Sequence, residues 1–178
     1  GLKAHVRTVA VLAKLVGDRL GLDPAALDEV VLAAQLHDIG KVAIPDSILR
    51  KAGALSEQEW RIMRQHTLLG ERILSAAPAL DAVARIVRSS HERWDGGGYP
   101  DGLAATEIPL GSRIVLACDA FHAMASWRPY SDRRTVEEAV AELQAHAGAQ
   151  FDAVVVAALI DTLTAERQVV EEVTAAAA

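Results

Sequence analysis

The 178-residue chain has one cysteine, Cys118, and only seven aromatic residues, 4% of the total. A single cysteine excludes an internal disulfide framework and suits a reducing compartment, so a cytoplasmic location is expected. No apolar run approaches the roughly 18 residues needed to span a bilayer. No basic segment followed by an apolar stretch opens the chain, so no signal peptide is read from it. Basic residues are not in excess: 18 Lys and Arg against 24 Asp and Glu leave a net charge of -6. That balance argues against bulk nucleic-acid binding, while leaving room for a small phosphate ligand held by a few local cations. Internal repeats, linkers and convincing strand pairs are also lacking.

What remains is a composition that builds a core. Hydrophobic residues make up 51% of the chain, and at roughly 150 residues per domain the length fits one domain with its own core. Leu2, Val6, Val9, Ala13, Val16 and Leu20 recur at spacings of three and four, the stripe of an amphipathic helix that stops at Gly21. Asp23-Pro24 reads as an N-cap and first helical position for a second helix, with Leu27, Val30 and Ala34 leading to His37-Asp38. Ser56 with Glu59 forms a capping box ahead of a helix expected to carry Trp60, Met63 and His66. A further helix is expected from about Leu80 to His91, then a long ordered loop rich in glycine. Helical spacing returns from Ser112 to Ala125. Thr135 with Glu138 is a second capping box, for a helix ending near Gly148, and Phe151 to Leu163 is a last apolar helix. The fold expected is all-α, a compact helical bundle. Residues 1–164 would form the domain and residues 165–178 a helical or frayed tail.

The scarce side chains fall at telling places. Five of the seven aromatics lie between Trp94 and Tyr130. Taken singly, His37-Asp38 reads as a polar helix end, and His5, in step with the first stripe, as a core histidine. His66, His91 and Asp119 are equally weak alone. Together they are five helices each offering a nitrogen or oxygen donor to one interior, the way metal sites are built in helical bundles. Imidazole and carboxylate donors suit Fe, Mn, Zn or Ni. Lys41, three residues after Asp38, can reach across the same helix end to a phosphate, or serve only as a cation near a helix C-terminus.

The motifs resemble those of a known family. His37-Asp38-Ile39-Gly40-Lys41 followed by Ile44-Pro45-Asp46 resembles the HD motif of metal-dependent phosphohydrolases. His91-Glu92-Arg93-Trp94-Asp95-Gly96-Gly97-Gly98-Tyr99-Pro100 is similar to the signature of the HD-GYP subfamily. The likeness continues through Asp119-Ala120-Phe121-His122-Ala123-Met124, Arg128-Pro129-Tyr130 and Gly148-Ala149-Gln150-Phe151-Asp152. It implies an HD-domain helical fold and a cyclic di-GMP phosphodiesterase releasing linear pGpG or, by further cleavage, GMP. It also implies two divalent metals, with iron or manganese favoured over zinc or nickel. The first metal would be held by His5, His37, Asp38 and Asp119, and Asp38 would bridge to a second held by His66 and His91. Asp38 and Lys41 would be the catalytic residues. Lys41, Gly98, Tyr99, Arg128 and Tyr130 would meet the substrate.

The same resemblance exposes departures. Ser90 stands where the family has a further histidine, so the second metal site is expected to be weak. Gly1 stands where three-metal members carry a glutamate, so a third metal is not expected. Thr67, His122 and Ala125 also replace usual residues, and His122 reads either as a ligand contact or as packing. Two other readings therefore stand beside the phosphodiesterase. One is a degenerate domain that binds cyclic di-GMP or a protein partner. The other is a phosphohydrolase acting on another nucleotide. An upstream sensory or receiver domain, signalling proteins and a homodimer are the partners the resemblance suggests.

Overall fold

The structure is a computed structural model that describes residues 2–125 and 135–165, with side chains from residue 6 onward. The helices are α1 (Leu2–Arg19), α2 (Pro24–Leu36), α3 (Asp46–Leu49), α4 (Glu57–Met63), α5 (His66–Leu74), α6 (Asp81–Arg88), α7 (Leu110–Ala125), α8 (Val136–Ala145) and α9 (Ala153–Ala165). Short 3-10 turns at Ile39–Ala43, Pro78–Leu80 and Ala105–Glu107 join them. Among the described residues β-pairing is limited to isolated bridges: His91 with Tyr99, Asp95 with Ala104, and Ala147 with Phe151. No described helix is long and apolar enough to cross a membrane.

The stripe read from the first helix is the centre of the core. Val9, Leu12, Ala13 and Val16 are fully buried, against Ile114, Cys118 and Phe121 of α7 and Val155 and Leu159 of α9. On its other side α1 packs on α2, and α2 packs on α6 and α7. Cys118 is buried and burial pushes its thiol pKa up, so it is a packing residue rather than a reactive one.

Local hydrogen bonds set the helix starts where the sequence places them. Asp23 Oδ1 accepts from the Ala26 amide at 2.9 Å, with Pro24 opening α2. Ser56 and Glu59 make the reciprocal pair at 3.3 and 2.7 Å, and Thr135 and Glu138 do so at 3.1 and 2.7 Å.

Two helix ends differ from expectation, and both differences build the centre. The helix expected to run through Trp60, Met63 and His66 ends at Met63, and His66 opens α5. The Met63 carbonyl is taken by the His66 ring nitrogen Nδ1 at 2.8 Å, a side chain competing for a helical acceptor. Likewise α6 ends at Arg88 rather than His91. Ser90 Oγ donates to the Val87 carbonyl at 2.8 Å, and His91 turns into extended pairing with Tyr99.

Glycine at position 40 lets the Ile39–Ala43 turn lie directly on α5. A Cβ there would meet the His66 carbonyl oxygen at 1.9 Å and the Gly70 amide nitrogen at 2.6 Å, both backbone atoms. Gly40→Ala is therefore expected to destabilise the protein by about 3 kcal/mol. Gly53→Ala, where a Cβ would meet nothing within 4 Å, should be neutral or slightly stabilising. Urea melts of the two variants beside the unaltered chain measure the contrast, and equal midpoints would show that the turn does not depend on the close approach.

Candidate metal centre

The centre forms where α2, the Ile39–Ala43 turn, the start of α5, the His91–Tyr99 bridge and α7 meet. His37 follows the last residue of α2, and its ring nitrogen Nδ1 lies 2.7 Å from the Ala34 carbonyl. His66 Nδ1 makes the same kind of bond to Met63. A proton placed on Nδ1 by these carbonyls leaves Nε2 of both rings as the lone-pair donor, the usual outer support for a metal-binding imidazole. Both Nε2 atoms lie 3.8 Å from one oxygen, Asp38 Oδ1. His37 Nε2 is also 3.8 Å from Asp119 Oδ1. The other Asp38 oxygen, Oδ2, accepts from Lys41 Nζ at 2.7 Å.

Nitrogen–oxygen separations of 3.8 Å are too long for a hydrogen bond. They fit two donors each about 2.1 Å from a shared ion. Asp38, His66 and His91 each offer a ligand atom within 4.8 Å of the others. Asp38 Oδ1, His66 Nε2 and His91 Nε2 are all buried without a hydrogen-bond partner. Leaving three such atoms unsatisfied is costly, and a divalent cation would satisfy all three. The donor set of imidazole and carboxylate suits a transition metal.

The electrostatics agree. Burial raises the Asp38 pKa, but His37, Lys41 and His66 outweigh it and hold the carboxyl below its ordinary value. Burial lowers the His66 pKa, against the pull of Met63 and Asp38. His91 is pulled down to about 3, first by burial and then by the neighbouring His66 and His37. The Asp38 carboxylate is thus held ionised and the His66 and His91 imidazoles neutral, the forms that bind metal.

The glycine-rich loop closes over this arrangement. The Tyr99 ring stacks on His91, with centroids 5.1 Å apart and planes at 12°. A Cβ on Gly98 would meet the Arg93 amide nitrogen at 2.3 Å and the His91 carbonyl oxygen at 2.6 Å, so only glycine lets the chain double back here. Glu92, 1% exposed, was not singled out as a site residue from the sequence. Its Oε1 accepts from the amides of Asp101 and Gly102 at 2.6 and 3.1 Å. Arg88 grips Asp101 through two bonds of 2.7 and 2.8 Å and also pairs with Glu71 of α5. The position of Glu92 immediately after His91 was the available signal: a carboxylate ahead of a run of glycine amides.

Of the residues named from the sequence, His37, Asp38, Lys41, His66, His91, Tyr99 and Asp119 are brought together, with Gly98 beside them. His5 lies on α1, but its side chain is outside the described ones, and Arg128 and Tyr130 lie outside the described residues. Trp127 does too. His122 is buried in α7. His146 is half-exposed beside Glu142 at 3.3 Å.

Residues 1–155 match the HD domain family, and the chain belongs to it. It is 43% identical over 158 residues to a cyclic di-GMP phosphodiesterase of Thermotoga maritima, covering 88% of this chain and 43% of that protein. It is 42% identical over 162 residues to a cyclic di-GMP phosphodiesterase response regulator of Xanthomonas campestris, covering 90% and 43%. A 3'3'-cGAMP-specific phosphodiesterase of Vibrio cholerae is 39% identical over 160 residues, covering 89% and 31%. The chain thus spans less than half the length of these relatives. Two solved structures share the fold at a TM-score of 0.73. One is a cyclic GMP-AMP specific phosphodiesterase of Vibrio cholerae, 20% identical, covering 95% of this chain and 48% of that one. The other is an HDGYP protein of Bdellovibrio bacteriovorus, 22% identical, covering 92% and 53%.

The depressed His91 pKa carries a sign that can be measured without metal. A histidine buried neutral binds its proton more weakly folded than unfolded, so its contribution is complete above the unfolded value near 6.5 and is lost as pH falls toward about 3. The metal-free protein is expected to lose about 2 kcal/mol between pH 7 and pH 5 from this group. His91→Gln should flatten that slope in urea melts across the range. An unchanged slope would show that His91 is not held neutral by burial.

Proposed function

We propose that this chain is the phosphohydrolase domain, within residues 1–164, of a metal-dependent phosphodiesterase that hydrolyses cyclic di-GMP to linear pGpG. The observation that carries the reading is the convergence of buried, unpartnered donor atoms from Asp38, His66 and His91 on one point. The names of the relatives supply the substrate class. His37, Asp38 and Asp119 would hold one divalent metal, joined by His5 as the family resemblance implies, and Asp38, His66 and His91 a second. Iron or manganese is favoured. Divalent metals at such a pair of sites neutralise the phosphodiester and activate water for in-line attack.

The chain's own groups do the positioning. Lys41 holds Asp38 Oδ2 and so turns Oδ1 toward the imidazoles. Its side chain is 37% exposed, so the same ammonium can meet a phosphate oxygen as negative charge develops. Tyr99 stacks on His91 beside the site, so its hydroxyl would serve as a donor to the substrate. Arg128 and Tyr130 would complete the substrate contacts.

A second reading is favoured by one observation: Ser90 Oγ is spent on the Val87 carbonyl and so is not directed at the second site. A domain with one well-held metal would bind cyclic di-GMP and signal to a partner without turning it over.

Two measurements decide between them. The manganese- or iron-loaded protein incubated with cyclic di-GMP should release pGpG, resolved by anion-exchange chromatography. Tight binding with no pGpG sinks the phosphodiesterase and leaves the binding module. Asp38→Ala should lose all bound metal by elemental analysis and at least about a hundredfold in turnover, while Ser90→His should raise the metal content per chain. Full metal retention in Asp38→Ala would refute its bridging place.

A further inference from the structure

Most cations around the centre are already committed to carboxylates. Lys41 is on Asp38, Arg88 on Glu71 and Asp101, Arg93 on Asp95, and Arg113 on Asp152. Arg64 is different. It caps the C-terminal end of α4, two residues before His66, and is exposed. Among the described residues no carboxylate pairs with its guanidinium, which lies 5.3 Å above the centre of the Tyr99 ring.

That ring ties Arg64 to the centre. Tyr99 stacks on His91 and lies edge-on to His66 at 6.4 Å. Charges on Arg64, Asp38 and Asp119 all act on the Tyr99 hydroxyl, and burial above all pushes its pKa up to about 12. An exposed cation–π contact is weak beside a charge-assisted bond from guanidinium to phosphate. Arg64 can thus turn toward an anion with little to lose, and its planar fork suits two phosphate oxygens.

A cyclic dinucleotide carries two phosphodiesters, and only one can sit on the metal-binding groups at a time. The other remains charged, above a protein whose net charge is -6. We propose that Arg64 is the anion-binding residue for the phosphodiester that is not being cleaved, working from above the Tyr99 ring while Lys41 serves the one that is. The inference rests on the proposed function above. It adds a second anion subsite on the α4–α5 junction, selective for ligands with two phosphates.

The test uses calorimetry with a hydrolysis-resistant phosphorothioate analogue of cyclic di-GMP on the manganese-loaded protein, for the unaltered chain and for Arg64→Lys, Arg64→Met and Arg64→Ala. Methionine keeps an apolar stem over Tyr99 and removes only the charge. Arg64→Met and Arg64→Ala are expected to weaken binding about ten- to hundredfold. Arg64→Lys should recover part of that loss, and the salt dependence of Kd should be shallower in the two neutral variants. In turnover assays the loss should appear mainly in KM rather than kcat. An unaltered chain that binds tightly, with Kd in Arg64→Met within twofold of it, overturns the inference and leaves the proposed function standing. An unaltered chain that does not bind the analogue at all brings down the proposed function and this inference with it.

Discussion

The Asp38 carboxylate is the group on which the rest of the centre depends. One oxygen is tied to Lys41 at 2.7 Å, and the other faces two imidazole nitrogens at 3.8 Å from different helices. A carboxylate so deeply set would favour its neutral form if left alone. The neighbouring His37, Lys41 and His66 reverse that balance. The same ionised oxygen makes sense of the buried nitrogens of His66 and His91, which have no protein partner. A divalent cation held between them would satisfy these donors, which are otherwise costly buried polar atoms.

The scaffold exists to keep those atoms in register. α1 is the central post, buried between α2, α7 and α9. Packing of α7 against α1 and α2 delivers Asp119, and the end of α2 delivers His37 and Asp38. The missing side chain at Gly40 then lets the following turn touch the backbone of α5, which brings His66 to Asp38. His37 and His66 are each turned by a backbone carbonyl at a helix break, Ala34 for His37 and Met63 for His66. The helix interruptions are thus part of the site: a continuous helix through His66 would use the Met63 carbonyl for its own ladder.

The loop after α6 makes a second layer. Glu92 gathers the amides of Asp101 and Gly102, and Arg88 clamps Asp101 to α5 and α6. Trp94 and Asp95 are stitched to Gln150 and Ala149 by backbone bonds, and Arg113 lies over the Trp94 ring. These contacts hold Tyr99 flat on His91. One face of the Tyr99 ring is thus occupied by an imidazole of the protein itself.

The helix starts at Asp23-Pro24, Ser56 and Thr135, the buried stripe of α1 and the residue types able to bind metal were all legible in the sequence. Each depends on groups within one or two helical turns of one another, and capping and periodicity are local effects. The family motifs extended that reading to the members of the centre. What the sequence did not show was where α4 and α6 would stop, because those ends are decided by His66 and Ser90 side chains taking backbone carbonyls. Nor did it show the buried bracing by Glu92 or the cation of Arg64 above Tyr99. The Arg64 contact joins distant parts of the chain and the Glu92 bonds close the loop on itself, so both exist only once α4, α6 and the loop have packed together. The helix ends turn on side chains three residues from the carbonyls they take, a choice that the packed centre decides.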